Sequence, residues 1–243
     1  MLIQGKRQFV LLAISALVAI SAVFWIEPLG ALSVIERLTP NEIYRVPTDQ
    51  PLVALSFDDG PNPTFTPQVL DILERNQAKA TFFLIGERAS QYPELVARIK
   101  AEGHEVGNHY YENGSTLFHS DARFLRYLEQ TERAIGPMQG PKLFRAPGGV
   151  AWPGQLRLAE AHGYTSILGS AYPHDPMHPP VWYILWLVGK NLVPGTIVIL
   201  HDGIPDPTRS IQALPQILDE GHRRGLSFVS VGELLKASRK TVH

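Results

Sequence analysis

The chain has 243 residues, a net charge of −1 and 19% charged residues. That length suits one large α/β domain, and the balanced charge offers no basic excess for holding nucleic acid. Cysteine is absent, which excludes a disulfide framework and leaves His, Asp, Glu, Asn and backbone oxygen as the only metal donors.

Residues 1–8 carry Lys6 and Arg7 and read as a cytoplasmic N-terminus. Phe9 to Ile26 is an apolar run of 18 residues without a charge, close to the roughly 20 that span a bilayer. The basic flank predicts an inside N-terminus, and Trp25 falls where an interfacial aromatic belongs. The small residues Ala19 and Ser21 lie inside the run, so an uncleaved anchor is expected over a cleaved signal peptide. Either way the rest of the chain is exported, to the periplasm or cell surface. Residues 27–50, punctuated by Pro28, Gly30, Pro40 and Pro47, read as a connector to a domain over 51–237.

In that domain strands and helices alternate. Val53 to Phe57 is a buried strand that Gly60-Pro61 breaks. A helix follows near 66–76 with Val69, Leu70 and Leu73 on one face, then a strand over 80–85. Residues 93–102 form a helix that Gly103 stops. His104 to Gly107 is a short strand and 121–135 a longer helix. Lys142 to Arg145 is a strand, 152–162 a helix, and Thr165 to Leu168 a strand. Pro173 to Pro180 is an irregular loop. Trp182 to Val188 is apolar but too short to span a membrane, and a buried helix is expected. Thr196 to Leu200, a helix over 214–224 and Phe228 to Val231 complete the series. Such repeated units predict a mostly parallel sheet covered by helices, closed or partly open as a barrel of about seven strands.

The polar residues at the strand ends carry the chemistry. Asp58 and Asp59 stand side by side where the first strand meets its loop, the end at which catalytic groups of α/β folds collect. Adjacent strand residues point opposite ways, so a bend is needed if both serve one site. An isolated Asp-Asp-Gly is also an ordinary turn. What changes its meaning is the company: His109, Arg145, Asp175 and His201 all stand at further strand ends. In a barrel those ends gather on one face, where an acid pair, an Arg and two His can bind a metal and move protons.

These residues sit in runs that resemble the polysaccharide deacetylase family, built on the NodB homology domain (carbohydrate esterase family 4). The runs are Ser56-Phe57-Asp58-Asp59-Gly60-Pro61, Gly103 to His109, Arg145-Ala146-Pro147-Gly148 and Leu200-His201-Asp202-Gly203. The resemblance covers about residues 50–236. It implies a distorted (β/α) barrel that removes acetyl groups from N-acetylated sugars. Asp59 and His109 would hold a divalent metal, Zn²⁺ first and Co²⁺ or Mn²⁺ as alternatives. Asp58 would be the general base, kept ionised by Arg145. His201 would be the general acid, kept protonated by Asp175. Pro147, Gly148, Ile199 and Leu200 would contact the substrate, an N-acetylated polysaccharide; Tyr110 either stacks on a sugar ring or packs in the interior.

Two positions depart from the family pattern. A second His is expected four residues after His109, and Asn113 stands there. A neutral amide oxygen can ligate but suits Zn²⁺ less than imidazole. Glu112, His119 and a water molecule are the rivals for that ligand position. Pro176 follows Asp175 where the family often has Trp. A membrane-tethered glycan-binding relative with weakened catalysis, and a small-molecule esterase on the same scaffold, are the alternatives. Retention of base, acid and Arg together favours the enzyme, expected as a monomer. Away from this set, His104 reads as a structural hydrogen bonder. His162, His174, His178 and His222 are expected at the surface. Chitin oligomers, peptidoglycan and other N-acetylated polymers remain open as substrates.

Overall fold

The computed structural model describes residues 34, 36, 37 and 39–238. The expected anchor over 9–26 lies outside these, and no helix among the described residues is long and apolar enough to cross a membrane. In chain order the strands are β1 (Glu42–Ile43), β2 (Leu52–Gly60), β3 (Thr81–Leu84), β4 (Glu105–Asn108), β5 (Lys142–Phe144), β6 (Tyr164–Ile167), β7 (Ile197–His201) and β8 (Ser227–Val229). The α-helices are α1 (Thr66–Arg75), α2 (Gly86–Gln91), α3 (Pro93–Ala101), α4 (Asp121–Ile135), α5 (Pro153–Ala161), α6 (Val181–Asn191), α7 (Thr208–Arg223) and α8 (Val231–Lys236). Short 3₁₀ turns cover Pro147–Gly149 and Asp175–Met177.

All ladders are parallel, in the order β1-β6-β5-β4-β3-β2-β7, with β8 also on β2. No ladder joins β6 to β7. Two isolated bridges, Ala171 to Val198 and Arg45 to Thr196, span that gap, so the sheet curls into a partly closed barrel. The segment around β1 fills the opening, with Val46 N–H donating to the Gly195 carbonyl at 2.9 Å. The connector expected over 27–50 is therefore corrected: its last part is built into the barrel wall.

Strand alternation sorts the side chains into two sets. Val53, Leu55 and Phe57 of β2 face outward into the main core with Phe82, Leu84, Val106, Val198 and Leu200, under residues of α1 and α7. Each such buried Leu, Val or Phe contributes about 1.5–3 kcal/mol relative to exposure. The opposite set faces the lumen, where Ala54, Phe83, Leu143, Ile167 and Ile197 pack on Val231 and Leu234. Helix α8 thereby plugs the floor. Its Gly232 N–H and the Thr81 hydroxyl both donate to Oε2 of buried Glu105, at 2.8 and 2.7 Å. Several helices start on a proline in the first turn, where the missing N–H costs no hydrogen bond (α1, α3, α5).

The helix expected to be buried at Trp182 to Val188 is instead amphipathic. Ile184, Leu187 and Val188 are buried in α6, while Trp182 and Trp186 are 67% and 44% exposed. His174, expected at the surface, is buried against the Tyr172 ring with centroids 4.7 Å apart. His104 keeps its expected structural role. It accepts from the Ala80 N–H at 3.3 Å, and burial holds its pKa down at about 4.

Candidate active site

The lumen-facing set continues past the last apolar layer as polar residues. Ser56 and Asp58 follow Ala54, His109 follows Gly107, Arg145 follows Leu143, and His201 follows Ile197 and Ile199. Two-residue periodicity thus delivers Asp58, His109, Arg145 and His201 to one cavity of about 450 Å³ at the carboxyl ends of the strands, with Ser56 one layer below.

Asp59 has the wrong parity for that cavity, and a bulge corrects it. In the β2–β3 ladder Asp58 is opposite Phe83 and Gly60 opposite Leu84, so Asp59 is the extra residue. It adopts φ = 67°, a left-handed conformation uncommon outside glycine. Bulges re-aim side chains in this way, and here the second carboxylate turns into the cavity beside the first. The bend that the Asp58-Asp59 pair demanded is this one. Gly203 permits it, since a Cβ there would lie 1.8 Å from the Asp59 carbonyl oxygen.

Arg145 is fully buried and organises one side. Its Nη1 donates to Asp58 Oδ1 at 2.6 Å and to Ser56 Oγ at 2.9 Å. Nε and Nη2 donate to the carbonyls of Ile167 and Leu168. The guanidinium lies 4.0 Å from the Phe83 ring centroid. A planar, five-donor cation is the side chain that can make all these contacts. Asp58 Oδ2 is left facing His109.

His109 Nδ1 lies 2.9 Å from the Arg145 carbonyl. A carbonyl only accepts, so Nδ1 carries the hydrogen and Nε2 presents its lone pair to the cavity. Nε2 lies 3.4 Å from Asp59 Oδ1 and 3.9 Å from Asp58 Oδ2. Burial pushes the Asp59 carboxyl up, but His109 whenever its ring carries both protons, and after it His201 and Arg88, bring it below its ordinary value. Asn113 lines the same cavity. The rival side chains are engaged elsewhere: Glu112 pairs with Arg123 and Tyr127, and His119 with the Tyr110 hydroxyl. No group of three or more His, Cys, Asp or Glu able to hold a metal occurs among the described residues. The available donor set is one imidazole nitrogen, one carboxylate and a neutral amide. A backbone-fixed imidazole tautomer beside an ionised carboxylate is how metal-binding His is oriented, so these residues fit a divalent ion such as Zn²⁺, Co²⁺ or Mn²⁺.

On the other side, Asp175 holds His201 at two points. Oδ1 meets His201 Nδ1 at 2.9 Å, and Oδ2 accepts from the His201 backbone N–H at 2.9 Å. The Ser210 hydroxyl completes Asp175 at 2.6 Å. Burial opposes charge on the imidazole, but Asp175, with Asp58 and Asp59 behind it, overcomes that and raises its pKa to about 9. A protonated imidazole and a paired carboxylate therefore share one cavity, at positions where Asp58 and His201 are register partners in adjacent strands.

A polysaccharide deacetylase family model matches residues 45–167, just over half the chain. The chain belongs to the polysaccharide deacetylase family. The peptidoglycan-N-acetylglucosamine deacetylase of Bacillus cereus is 39% identical over 196 residues, 79% of this chain and 92% of that protein. The chitooligosaccharide deacetylase of Sinorhizobium fredii is 35% identical over 204 residues, 76% of this chain and 92% of that one. The crystal structure of a peptidoglycan N-acetylglucosamine deacetylase superposes with a TM-score of 0.77 at 29% identity, over 82% of this chain and 95% of that one.

Within this family member, three of the candidate substrate contacts point elsewhere. Tyr110 is wholly buried, stacked on Phe124 and bonded to His119, because its parity from β4 is outward. Leu200 is outward by the same rule and lies in the main core. Pro147 is buried and absent from the lining, whereas Gly148 and Ile199 line the cavity. The lining also includes residues that sequence reasoning missed, among them Tyr44, Leu168, Gly169 and Tyr172. A wider surface groove between α6 and α7, bordered by Trp182 and Trp186, contains none of the candidate site residues.

Proposed function

We propose that this family member is a metal-dependent hydrolase that removes N-acetyl groups from an N-acetylglucosamine-containing glycan. The observation that carries this reading is the shared cavity of Asp58, paired with Arg145 at 2.6 Å, and His201, paired with Asp175 at 2.9 Å. A base and an acid with separate buried partners are what amide hydrolysis needs, since water must lose a proton and the amine must gain one.

Asp59 and His109, with Asn113 as a weak third donor, would hold the metal. When bound, a divalent ion lowers the pKa of water and polarises the acetyl carbonyl. Asp58 accepts a proton from the attacking water through Oδ2, because Oδ1 is taken by Arg145. His201 gives a proton to the departing nitrogen as the carbon–nitrogen bond breaks, through Nε2, because Nδ1 is held by Asp175. Acetate and a free sugar amine result. Each positioned acid or base contributes about 10²–10⁴ in rate.

The apolar lining of Tyr44, Leu168, Tyr172 and Ile199 suits the acetyl methyl group and the sugar face. The named substrates of the relatives, peptidoglycan and chitooligosaccharides, support an N-acetylglucosamine polymer. We further propose that residues 9–26 tether the domain outside the cytoplasm, a reading that rests on the basic flank and the apolar run. The test is acetate release by Asp58→Asn and His201→Ala at saturating metal. Turnover near that of the unaltered protein in either variant removes the assigned role.

A further inference from the structure

The bulge at Asp59 is the least self-sustaining feature of the site. Left to ordinary strand geometry, Asp59 would point away from the lumen, and only its left-handed backbone brings it to His109. Such conformations persist where surrounding contacts over-determine them. The contacts come from Arg88 on helix α2, which belongs to none of the strand-end runs. Its Nη1 donates to the Asp59 carbonyl oxygen at 2.5 Å and also to the Gly203 carbonyl oxygen. A guanidinium nitrogen carries two hydrogens, so one Nη1 serves both acceptors. Those acceptors belong to two different segments, the bulged end of β2 and the loop after β7. The same two segments are joined below by the N–H groups of Asp202 and Gly203, both directed at the Asp58 carbonyl at 3.3 and 3.4 Å.

We propose that Arg88 is a positioning residue that locks the Asp59 peptide in its left-handed conformation and so keeps the Asp59 carboxylate on His109. Arg88 touches no substrate; it acts through the Asp59 backbone. The bridge also neutralises two carbonyl oxygens that the bulge brings close together, which charge-assisted donors do better than neutral ones. Lysine keeps the charge but not the planar fork, so it restores the clamp only in part. The functional consequence rests on the metal reading above; the geometric claim does not.

The experiment is calorimetric titration of the metal-stripped full chain with zinc chloride, comparing the unaltered protein, Asp59→Ala, Arg88→Gln and Arg88→Lys, with a thermal melt of each. Removing a residue that orients a ligand weakens metal affinity by about 10–100-fold. That is the loss expected for Arg88→Gln, with Arg88→Lys intermediate and Asp59→Ala without stoichiometric binding. A lowered melting temperature with an unchanged zinc dissociation constant would mean a merely structural Arg88 and overturn the proposal. If the unaltered protein takes up no zinc, the catalytic reading falls instead, and the crystal structure of Arg88→Gln decides the clamp. A negative φ at Asp59 supports it, and a retained positive φ with the carboxylate on His109 overturns it.

Discussion

Replacing Asp175 by Asn keeps the shape of the His201 partner and removes its charge. In the protein the imidazole titrates at about 9 rather than 6.5, a difference worth about 3 kcal/mol at 1.36 kcal/mol per pH unit. Burial works against that rise, so losing the principal opposing charge should bring His201 to 6.5 or below. At pH 7.5 an imidazole titrating at 9 is about 97% protonated, and one titrating at 6.5 about 9%. The general acid is thus depleted about tenfold at that pH, and the alkaline limb of kcat/KM moves from near 9 to below about 6.5. A cation beside Asp59 lowers His201 in both proteins and leaves the direction of the difference unchanged. Stability should follow the same group. Because the folded pKa is raised, its contribution is complete below about 6.5 and is lost as pH rises towards 9. The stability gap between the two proteins should therefore narrow across that window. The assay is acetate release from an N-acetylglucosamine oligomer between pH 5 and 10, with nuclear magnetic resonance titration of the imidazole. An alkaline limb that stays near 9 in Asp175→Asn would refute the pairing as the source of the proton.

Asn113→His should tighten zinc binding, because imidazole replaces a neutral amide at a position lining the cavity; an unchanged dissociation constant in a zinc titration would remove Asn113 from the ligand set. Arg145→Met should leave Asp58 as an unpaired buried charge and cost about 3–5 kcal/mol of stability, measured by urea denaturation, with loss of activity at any metal concentration. Gly203→Ala places a methyl 1.8 Å from the Asp59 carbonyl; it should destabilise the fold by about 1–3 kcal/mol and lower zinc affinity, whereas a neutral result would mean the two loops move apart freely. N-terminal sequencing of protein from cells should find residues 9–26 still attached, and a mature N-terminus beyond residue 26 would replace the anchor with a cleaved signal.

The catalytic candidates are legible because each stands at the carboxyl end of a strand or directly after it. Asp58, His109, Arg145 and His201 need only the two-residue period to reach one lumen. That period also explains the errors. Tyr110 and Leu200 are chain neighbours of His109 and His201, and alternation therefore turns them outward into the core. Asp59 was assignable only on the condition of a bend, and the bend depends on long-range contacts from Gly203 and Arg88 that leave no local signal. Tyr44 was invisible because β1 is two residues long and lies in a proline-punctuated segment that reads as a linker. Helices α2 and α8 have six residues each, too short for a 3.6-residue period to register. Helix α7 starts at Thr208 rather than 214 and carries Pro215 in its interior, where a proline more often marks a helix start.

Acetate release from an N-acetylglucosamine oligomer by the purified protein, with and without added zinc, tests the central claim most directly. Metal-reconstituted protein should release acetate and free amine in equal amounts. The metal-stripped protein and metal-reconstituted Asp58→Asn should both be inactive, the variant with zinc still bound. Metal-reconstituted protein that releases no acetate from chitin-type or peptidoglycan oligomers, or stripped protein that works as well as the reconstituted one, would contradict the account.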